Sequence, residues 1–466
     1  MCDNLELVLS NQRAAFLAEG SPATSVRKQR IAALRAMVED GEAQLAEAIS
    51  ADFGNRSRIE TRLTDILLVV SQTKLALRRI ARWTRTRRVP TPMYMWPGTS
   101  KLLPQPLGVV GVIGAWNYPV ATVLCPAICA LAAGNRVVLK PSEQAPRTAE
   151  VLARMIADRF APEVLSVVLG GVDVATRFAS LKFDHLVFTG SGAVGRKVAT
   201  AAAVNLTPLT LELGGKCPAI LDTSCNLDEA VSALLFGKFL NAGQTCVGVD
   251  YVLCPQAMQE SLVSALRKCV TAAFPNWAEN PDYTHIVSQR HLARLEQLLA
   301  DARAKGASVR PLVPEMRSVG RAFQPTMVLG ATGDMRLMQD EIFGPILPIV
   351  TCQTYEDAIA YINSREKPLA LYWMGHNARV RDQVVAKTFS GGVTVNGAVM
   401  HVYQQNFGFG GVGPSGMGEY LGEAGFRRFS KEKPIYIQRH PNALALISPP
   451  YTARTELVLG MFRALL

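Results

Sequence analysis

Apolar residues recur at three- and four-residue steps between residues 25 and about 87, through Ile31, Leu34 and Met37 and then Leu45, Ala48 and Ile49. That spacing predicts a set of scaffold helices. The period breaks at Pro90, Pro92 and Pro97, and Tyr94 and Trp96 alternating among them predict extended chain. Beyond the break, short apolar runs alternate with amphipathic stretches. Strands are predicted over 107–113, 136–140, 165–169, 183–189 and 209–213, and helices over 119–133, 147–160 and 195–204. Strand and helix in repeated alternation make a parallel sheet covered on both faces, the doubly wound arrangement that binds nucleotides at the ends of its strands.

A second alternating region follows. Asn226, with Glu229 three residues on, predicts the start of a helix over 227–240, which Asn241-Ala242-Gly243 ends. Strands are predicted over 250–253, 322–328, 345–350 and 392–396, and helices over 288–305 and 355–364. The chain therefore reads as α/β, with two doubly wound parallel-sheet domains and the Pro-broken segment between helical scaffold and first strand. The apolar stretch 456–466 is too short to cross a bilayer and reads as a terminal helix docked on the body, with membrane contact as the alternative.

At 466 residues and 49% hydrophobic the chain buries more than one core, which excludes a disordered polypeptide. The net charge of +11 is uneven: no acidic residue lies between Asp65 and Glu143, while Lys74, Arg78, Arg79, Arg82, Arg85, Arg87 and Arg88 cluster. Leu75, Leu77, Ile80 and Trp83 are interleaved with them and no recognition motif is present, so a solvated or subunit-facing surface is expected and nucleic acid is not. The nine cysteines form no CxxC and the six histidines no HxxxH, so no metal site is expected. An odd number of thiols in apolar segments, Val123-Leu124-Cys125 among them, and an N-terminus with Asp3 and Glu6 before Leu7-Val8-Leu9 rather than a signal peptide, lead to an expectation of a cytoplasmic protein.

The candidate chemistry centres on Cys246, after Asn241-Ala242-Gly243-Gln244-Thr245, and Glu212, in Leu211-Glu212-Leu213-Gly214-Gly215. A thiolate attacks carbonyl carbon, and a carboxylate activates water against the resulting thioester. Together they point to oxidation of an aldehyde to an acid. The polar residues before Cys246 predict an exposed loop. Gly190-Ser191-Gly192-Ala193-Val194-Gly195 follows a predicted strand and opens a helix, the context a phosphate-binding glycine loop requires. Lys140 and Glu143, at the end of an earlier strand, are suited to ribose hydroxyls and leave Glu212 free for catalysis. Asn117, in a strand-to-helix turn beside Trp116, is placed to donate to a developing oxyanion. Glu341 and Phe343 stand at the head of a strand, suited to a ribose hydroxyl and to a nicotinamide ring. The glycine-dense run 409–418 lacks a strand-to-helix context and is expected to order the mouth of the site.

These stretches, in this order, resemble the aldehyde dehydrogenase superfamily and within it the class 3 branch, which includes fatty aldehyde and coniferyl aldehyde dehydrogenases. The resemblance covers residues from about 10 to about 435. It implies Cys246 as nucleophile, Glu212 as general base, and Asn117 with the Cys246 backbone amide as oxyanion hole. It implies NAD, with NADP as an alternative, held by Trp116, Lys140, Glu143, Gly190, Ser191, Gly192, Ala193, Val194, Gly195, Leu213, Glu341 and Phe343. It also implies an NAD-binding domain over 1–82 and 106–212, a catalytic domain over 213–399, a bridging region over 83–105 and 400–437 that forms a homodimer, and a tail over 438–466. Val249 and Gly408 stand where the family usually has proline, bordering the aldehyde entrance. The substrate is then an aromatic or a medium- to long-chain aliphatic aldehyde. The alternative function is a catalytically silent relative that binds a ligand or serves a structural role.

Overall fold

The computed structural model describes residues 5–442 and 446–465. Cys2, Asp3, residues 443–445 of the tail and Leu466 lie outside the described residues. The helical scaffold comprises Leu5–Glu19, Thr24–Asp40, Glu42–Phe53 and Leu67–Trp83, with a short helix Arg58–Thr61 running into a π turn at Arg62–Ile66. The first helix has no counterpart in the sequence pattern, because only Leu5, Leu9 and Gln12 on it are buried. On Leu67–Trp83 the expected division holds: Leu75, Ile80 and Trp83 point inward, while Lys74, Arg78, Arg79 and Arg82 are exposed.

Two sheets carry the body. The six-stranded sheet runs in the order Gly416–Met417, Leu209–Glu212, His185–Thr189, Val109–Ile113, Arg136–Lys140 and Leu165–Val167, parallel except for the two-residue edge strand. Its chain order reverses beside Val109–Ile113, and a doubly wound sheet opens a crevice at its strand ends at such a point. The helix Ala121–Ala133 is buried on every side, which is why its sequence is apolar all round. It closes at Gly134, whose φ of 97° is the left-handed conformation that a residue without Cβ adopts freely.

The seven-stranded sheet runs Ser308–Pro311, Thr326–Leu329, Ile346–Cys352, Tyr251–Pro255, Pro218–Leu221, Ala370–Met374 and Gly392–Val395, parallel except at its first edge. Pro218–Leu221 and Ala370–Met374 lie inside it and were not expected. Every residue of both is buried, so neither shows the alternation that marks a half-exposed strand.

A separate three-stranded antiparallel sheet joins Arg87–Val89, Thr99–Pro106 and Ser430–Ile437, with Ser430 opposite Pro106 and Ile437 opposite Thr99. The Pro-rich segment is not extended throughout, as its composition led us to expect: Met93–Met95 forms a short 3-10 turn, its backbone N–H of Met95 bonded to Pro92. Residues 400–429 stay with the body; Gly422–Arg428 packs on Ala121–Ala133 and Leu67–Trp83. The terminal helix Ala453–Leu465 docks through buried Val458 and through Phe462, whose ring lies 5.5 Å from that of Tyr94. Among the described residues no helix is long and apolar enough to cross a membrane.

One buried ion pair ties scaffold to sheet. Arg56 and Asp65 meet at 3.2 Å with both side chains wholly buried. Asp65 Oδ1 accepts the backbone N–H groups of Val120 and Ala121, each at 3.0 Å, and so caps the Ala121–Ala133 helix. Arg56 Nη1 donates to the carbonyl of Asn117 at 2.9 Å, and Nη2 donates to Thr64 Oγ1 at 2.8 Å. Its guanidinium also lies over the rings of Phe53 and Tyr118, 5.2 and 5.1 Å from their centroids. Replacing Arg56→Ala leaves Asp65 an uncompensated buried charge, and we expect a loss of about 3–5 kcal/mol of folding free energy in urea denaturation.

Candidate active site

The strand Leu209–Glu212 and the loop after Leu227–Phe239 deliver Glu212 and Cys246 to one cavity. Asn226 caps that helix by accepting from the N–H groups of Asp228 and Glu229, as its position predicted. The helix then ends in a run of left-handed residues, Asn241, Ala242 and Gly243 at φ 54°, 51° and 75°. Left-handed backbone is unfavourable for alanine, so surrounding contacts must hold the turn. They do. Gln244 Nε2 donates to the carbonyls of Asn241 and His285 at 2.9 and 3.0 Å, and its Oε1 accepts from Val287 N at 2.9 Å. Asn241 Nδ2 donates to the carbonyls of Asn117 and Gln244, both at 3.1 Å, and its N–H goes to Glu60 Oε1 at 2.9 Å.

This corrects the expectation of an exposed loop: residues 241–245 are all buried and only Cys246 is partly exposed. The polar side chains are there to satisfy the backbone of a tight buried turn rather than to meet water. Gly243 is required by space as well, since a Cβ would come within 2.4 Å of the Gly344 carbonyl oxygen.

Asn117, Glu212 and Cys246 line the same cavity, together with Tyr118, Val399, Tyr403, Phe409, Tyr420 and Leu421. Asn117 Nδ2 donates to the Gln244 carbonyl at 3.1 Å, which fixes the amide beside the Cys246 turn. Tyr118 hydrogen-bonds Thr245, the residue before the thiol. Glu212 is 2% exposed, and neither of its carboxylate oxygens has a hydrogen-bond partner in the protein. Burial, and then the charge of Glu419, push its pKa well above the ordinary carboxylate value. The Cys246 thiol is pushed up to about 12, first by burial and then by Glu341 and Glu212, so it is protonated at neutral pH.

The glycine-dense run reaches the site as the sequence led us to expect. Gly416 pairs with Glu212 across the sheet edge, and Leu213 N–H donates to Ser415 O at 3.1 Å. Val399 and Leu421, two lining residues with φ of 66° and 77°, carried no advance signal of that conformation. Nor did Arg56, Asp65 or Tyr118 carry a sequence signal separating them from the other charged and aromatic residues of the scaffold.

The aldehyde dehydrogenase family profile matches residues 4–435. The chain is 45% identical over 449 residues to the "Probable coniferyl aldehyde dehydrogenase" of Pseudomonas aeruginosa, an alignment covering 96% of this chain and 94% of that one. It is 38% identical to aldehyde dehydrogenase family 3 member A2 of Pongo abelii, covering 96% and 91%. The solved substrate-bound state of Staphylococcus aureus AldH superposes with a TM-score of 0.92 at 35% identity, covering 98% of this chain and 99% of that chain. The chain belongs to the aldehyde dehydrogenase family. Its relatives are those of the class 3 branch.

The residues present fit the nicotinamide dinucleotide of an aldehyde dehydrogenase. Gly190-Ser191-Gly192 crosses from His185–Thr189 into the helix Gly192–Ala203, with Ser191 accepting from Val194 N at the helix start. A Cβ at Gly195 would lie 2.7 Å from Leu213 Cδ2, so glycine allows the helix to seat closely against the strand end. Ser191, Ala193 and Val194 are exposed on that turn. Lys140 is almost wholly buried; its Nζ donates to Pro141 O at 2.8 Å and meets Glu143 Oε2 at 3.4 Å, leaving Glu143 the more exposed of the two. Glu341 lies against the Gly214–Gly215 backbone, where a Cβ on Gly214 would come within 2.1 Å of its carboxylate, and burial raises its pKa to about 8. Trp116 and Phe343 meet edge to face at 5.3 Å. Thr189 Oγ1, also lining the cavity, is buried without a protein partner. Among the described residues no three His, Cys, Asp or Glu side chains gather as a metal site would require.

The raised pKa of Glu212 is also a statement about stability. Its contribution is fully present below the unfolded-state value near 4.5 and is lost as pH climbs toward the folded value. We expect Glu212→Gln to gain on the wild type by about 1.4 kcal/mol per pH unit as pH rises from about 5, until the folded carboxyl ionises, measured by urea denaturation across that range.

Proposed function

We propose that the protein oxidises an apolar aldehyde to its carboxylic acid through a covalent intermediate on Cys246, with NAD as the preferred cofactor. The observation that carries this reading is the convergence of Cys246, Asn117 and the unpartnered Glu212 on one cavity. The cavity wall supports an apolar substrate: Leu68, Tyr118, Val402, Tyr403, Phe409 and Tyr420 contribute to it, and Glu212 is the one acidic or basic side chain among its lining residues. The relatives named coniferyl aldehyde dehydrogenase favour an aromatic aldehyde of that type.

In this reading the Cys246 thiol gives up its proton to water and Sγ attacks the aldehyde carbon. Asn117 Nδ2 and the Cys246 N–H receive the negative charge that develops on the aldehyde oxygen, a contribution of a few kcal/mol from each donor. The chemistry that the dinucleotide would supply when bound is acceptance of a hydride, the hydrogen and both electrons of the broken C–H bond of the aldehyde carbon. Glu212 then takes a proton from water, whose oxygen displaces Cys246 from the thioester and releases the acid. A buried, unpaired carboxylate is a strong base once ionised, and Glu212 has no hydrogen bond to give up before it can accept that proton. The thiol of Cys246 must also lose its proton against the charges of Glu341 and Glu212, so a neutral Glu212 assists the first step and an ionised one the last.

Trp116, Glu143, Leu213, Glu341, Phe343 and the turn 190–195 are the cofactor contacts in this reading, with Lys140 holding the loop beneath Glu143. The antiparallel sheet is the subunit contact of a homodimer, residues 1–82 with 106–212 form the cofactor domain and 213–399 the catalytic domain, and the protein is cytoplasmic.

Cys246→Ser is expected to abolish aldehyde oxidation while NAD binding measured by calorimetry is retained. Glu212→Gln is expected to keep a burst of reduced cofactor of about one equivalent and then stall, because acylation precedes the step that needs the base; loss of the burst along with turnover refutes that role. Glu143 repels a 2′-phosphate, so kcat/KM with NAD is expected to exceed that with NADP by about 10-fold or more, and Glu143→Gln to narrow the gap. Equal turnover with both cofactors in the wild type overturns that preference.

A further inference from the structure

Four aromatic rings gather where the helix Gln289–Ala304 meets the turn carrying Trp116 and the loop carrying Phe343. The Trp116 indole stands edge-on to His291, with centroids 5.0 Å apart and planes at 64°. It meets Phe343 at 5.3 Å and 72°, and Phe53 lies 6.1 Å away. Edge-to-face contacts at these separations are attractive beyond the area they bury. Phe343 sits at φ 51°, a conformation its bulk disfavours, so neighbouring contacts must hold it there.

The helix Gln289–Ala304 supplies those contacts. Arg294 donates from Nη1 to Ile342 O at 2.8 Å and from Nη2 to Glu341 O. Leu295 fills the space beside Gly344, where a Cβ would lie 2.5 Å from Leu295 Cδ2. His291 is itself tethered. Its Nδ1 is 2.9 Å from Ser288 Oγ, and the same oxygen, as the helix N-cap, accepts the His291 backbone N–H at 3.4 Å. With the oxygen already accepting, the hydroxyl proton is available to Nδ1 and the ring proton stays on Nε2. Burial, followed by Arg294 and Arg290, lowers the imidazole pKa, so the ring is neutral and packs as an aromatic.

We propose that His291 is a positioning residue for the cofactor: tethered by Ser288 and set edge-on to Trp116, it holds the indole against Phe343 and completes the ring wall beside which the nicotinamide end of the dinucleotide rests. The proposal depends on the reading of Trp116 and Phe343 as cofactor contacts. His291 touches no reacting atom and acts through Trp116 alone.

The test is NAD binding by calorimetry to the full chain, without aldehyde, alongside steady-state kinetics. His291→Ala is expected to weaken NAD binding by about 2- to 12-fold, the equivalent of one aromatic pair, and to raise the KM for NAD with kcat at saturation nearly unchanged. His291→Phe, which keeps a neutral ring, is expected to restore most of the affinity. Ser288→Ala, which frees the ring without removing it, is expected to give a smaller loss. The double variant His291→Ala with Trp116→Ala is expected to bind no more weakly than Trp116→Ala alone.

Wild-type affinity in His291→Ala, or full additivity with Trp116→Ala, overturns the proposal while Phe343→Ala still weakens binding. Wild-type affinity in both Trp116→Ala and Phe343→Ala overturns the underlying cofactor reading instead. If His291→Ala fails to fold by circular dichroism, the comparison of His291→Phe with Ser288→Ala decides: wild-type affinity in Ser288→Ala sinks the proposal.

Discussion

The buried pair of Arg56 and Asp65 is the interaction on which the site depends. Its two charges are removed from water, a cost that direct contact alone does not recover, and each also makes hydrogen bonds to the backbone around Asn117. Asp65 binds the start of the helix that follows Asn117, and Arg56 binds the carbonyl of Asn117 itself. The same carbonyl accepts from Asn241 in the turn that presents Cys246. Scaffold, Asn117 and the turn that presents Cys246 are thus joined through a single carbonyl oxygen.

Around that hub the protein stores unfavourable local features where chemistry is proposed. Asn241, Ala242, Phe343, Val399 and Leu421 all adopt left-handed backbone, and Glu212 is buried without a partner. Each costs stability taken by itself. They persist because the two sheets and the helical scaffold over-determine them: Gln244 alone makes three hydrogen bonds that clamp the Cys246 turn. A buried carboxyl that resists ionisation is a poor arrangement for stability at neutral pH, where the unfolded chain would ionise it.

Much of the fold was legible in the residues. Arg136–Lys140 emerged with the expected boundaries, and the helix after Asn226 began where its cap stood. These signals are local, since a cap or a glycine stop acts within one turn. The strands Pro218–Leu221 and Ala370–Met374 were not legible, because burial on both faces erases the two-residue period. The loop before Cys246 was misread for a related reason: Asn, Gln and Thr are polar, and their composition is the same whether they meet water or satisfy a buried turn.

The sequence by itself determined the alternation of strand and helix, the glycine turn at 190–195, and the choice of Cys246, Glu212 and Asn117 as candidates that prove to line one cavity, because spacing and residue chemistry travel along the chain. The tertiary structure alone decided that Glu212 has no hydrogen-bond partner in the protein, that the turn before Cys246 is buried, that Arg56 binds the Asn117 carbonyl, and that His291 stands edge-on to Trp116. Those facts depend on groups far apart in sequence meeting in a medium without water, where the strength of a charge or a hydrogen bond is set by its neighbours and not by the residue that carries it.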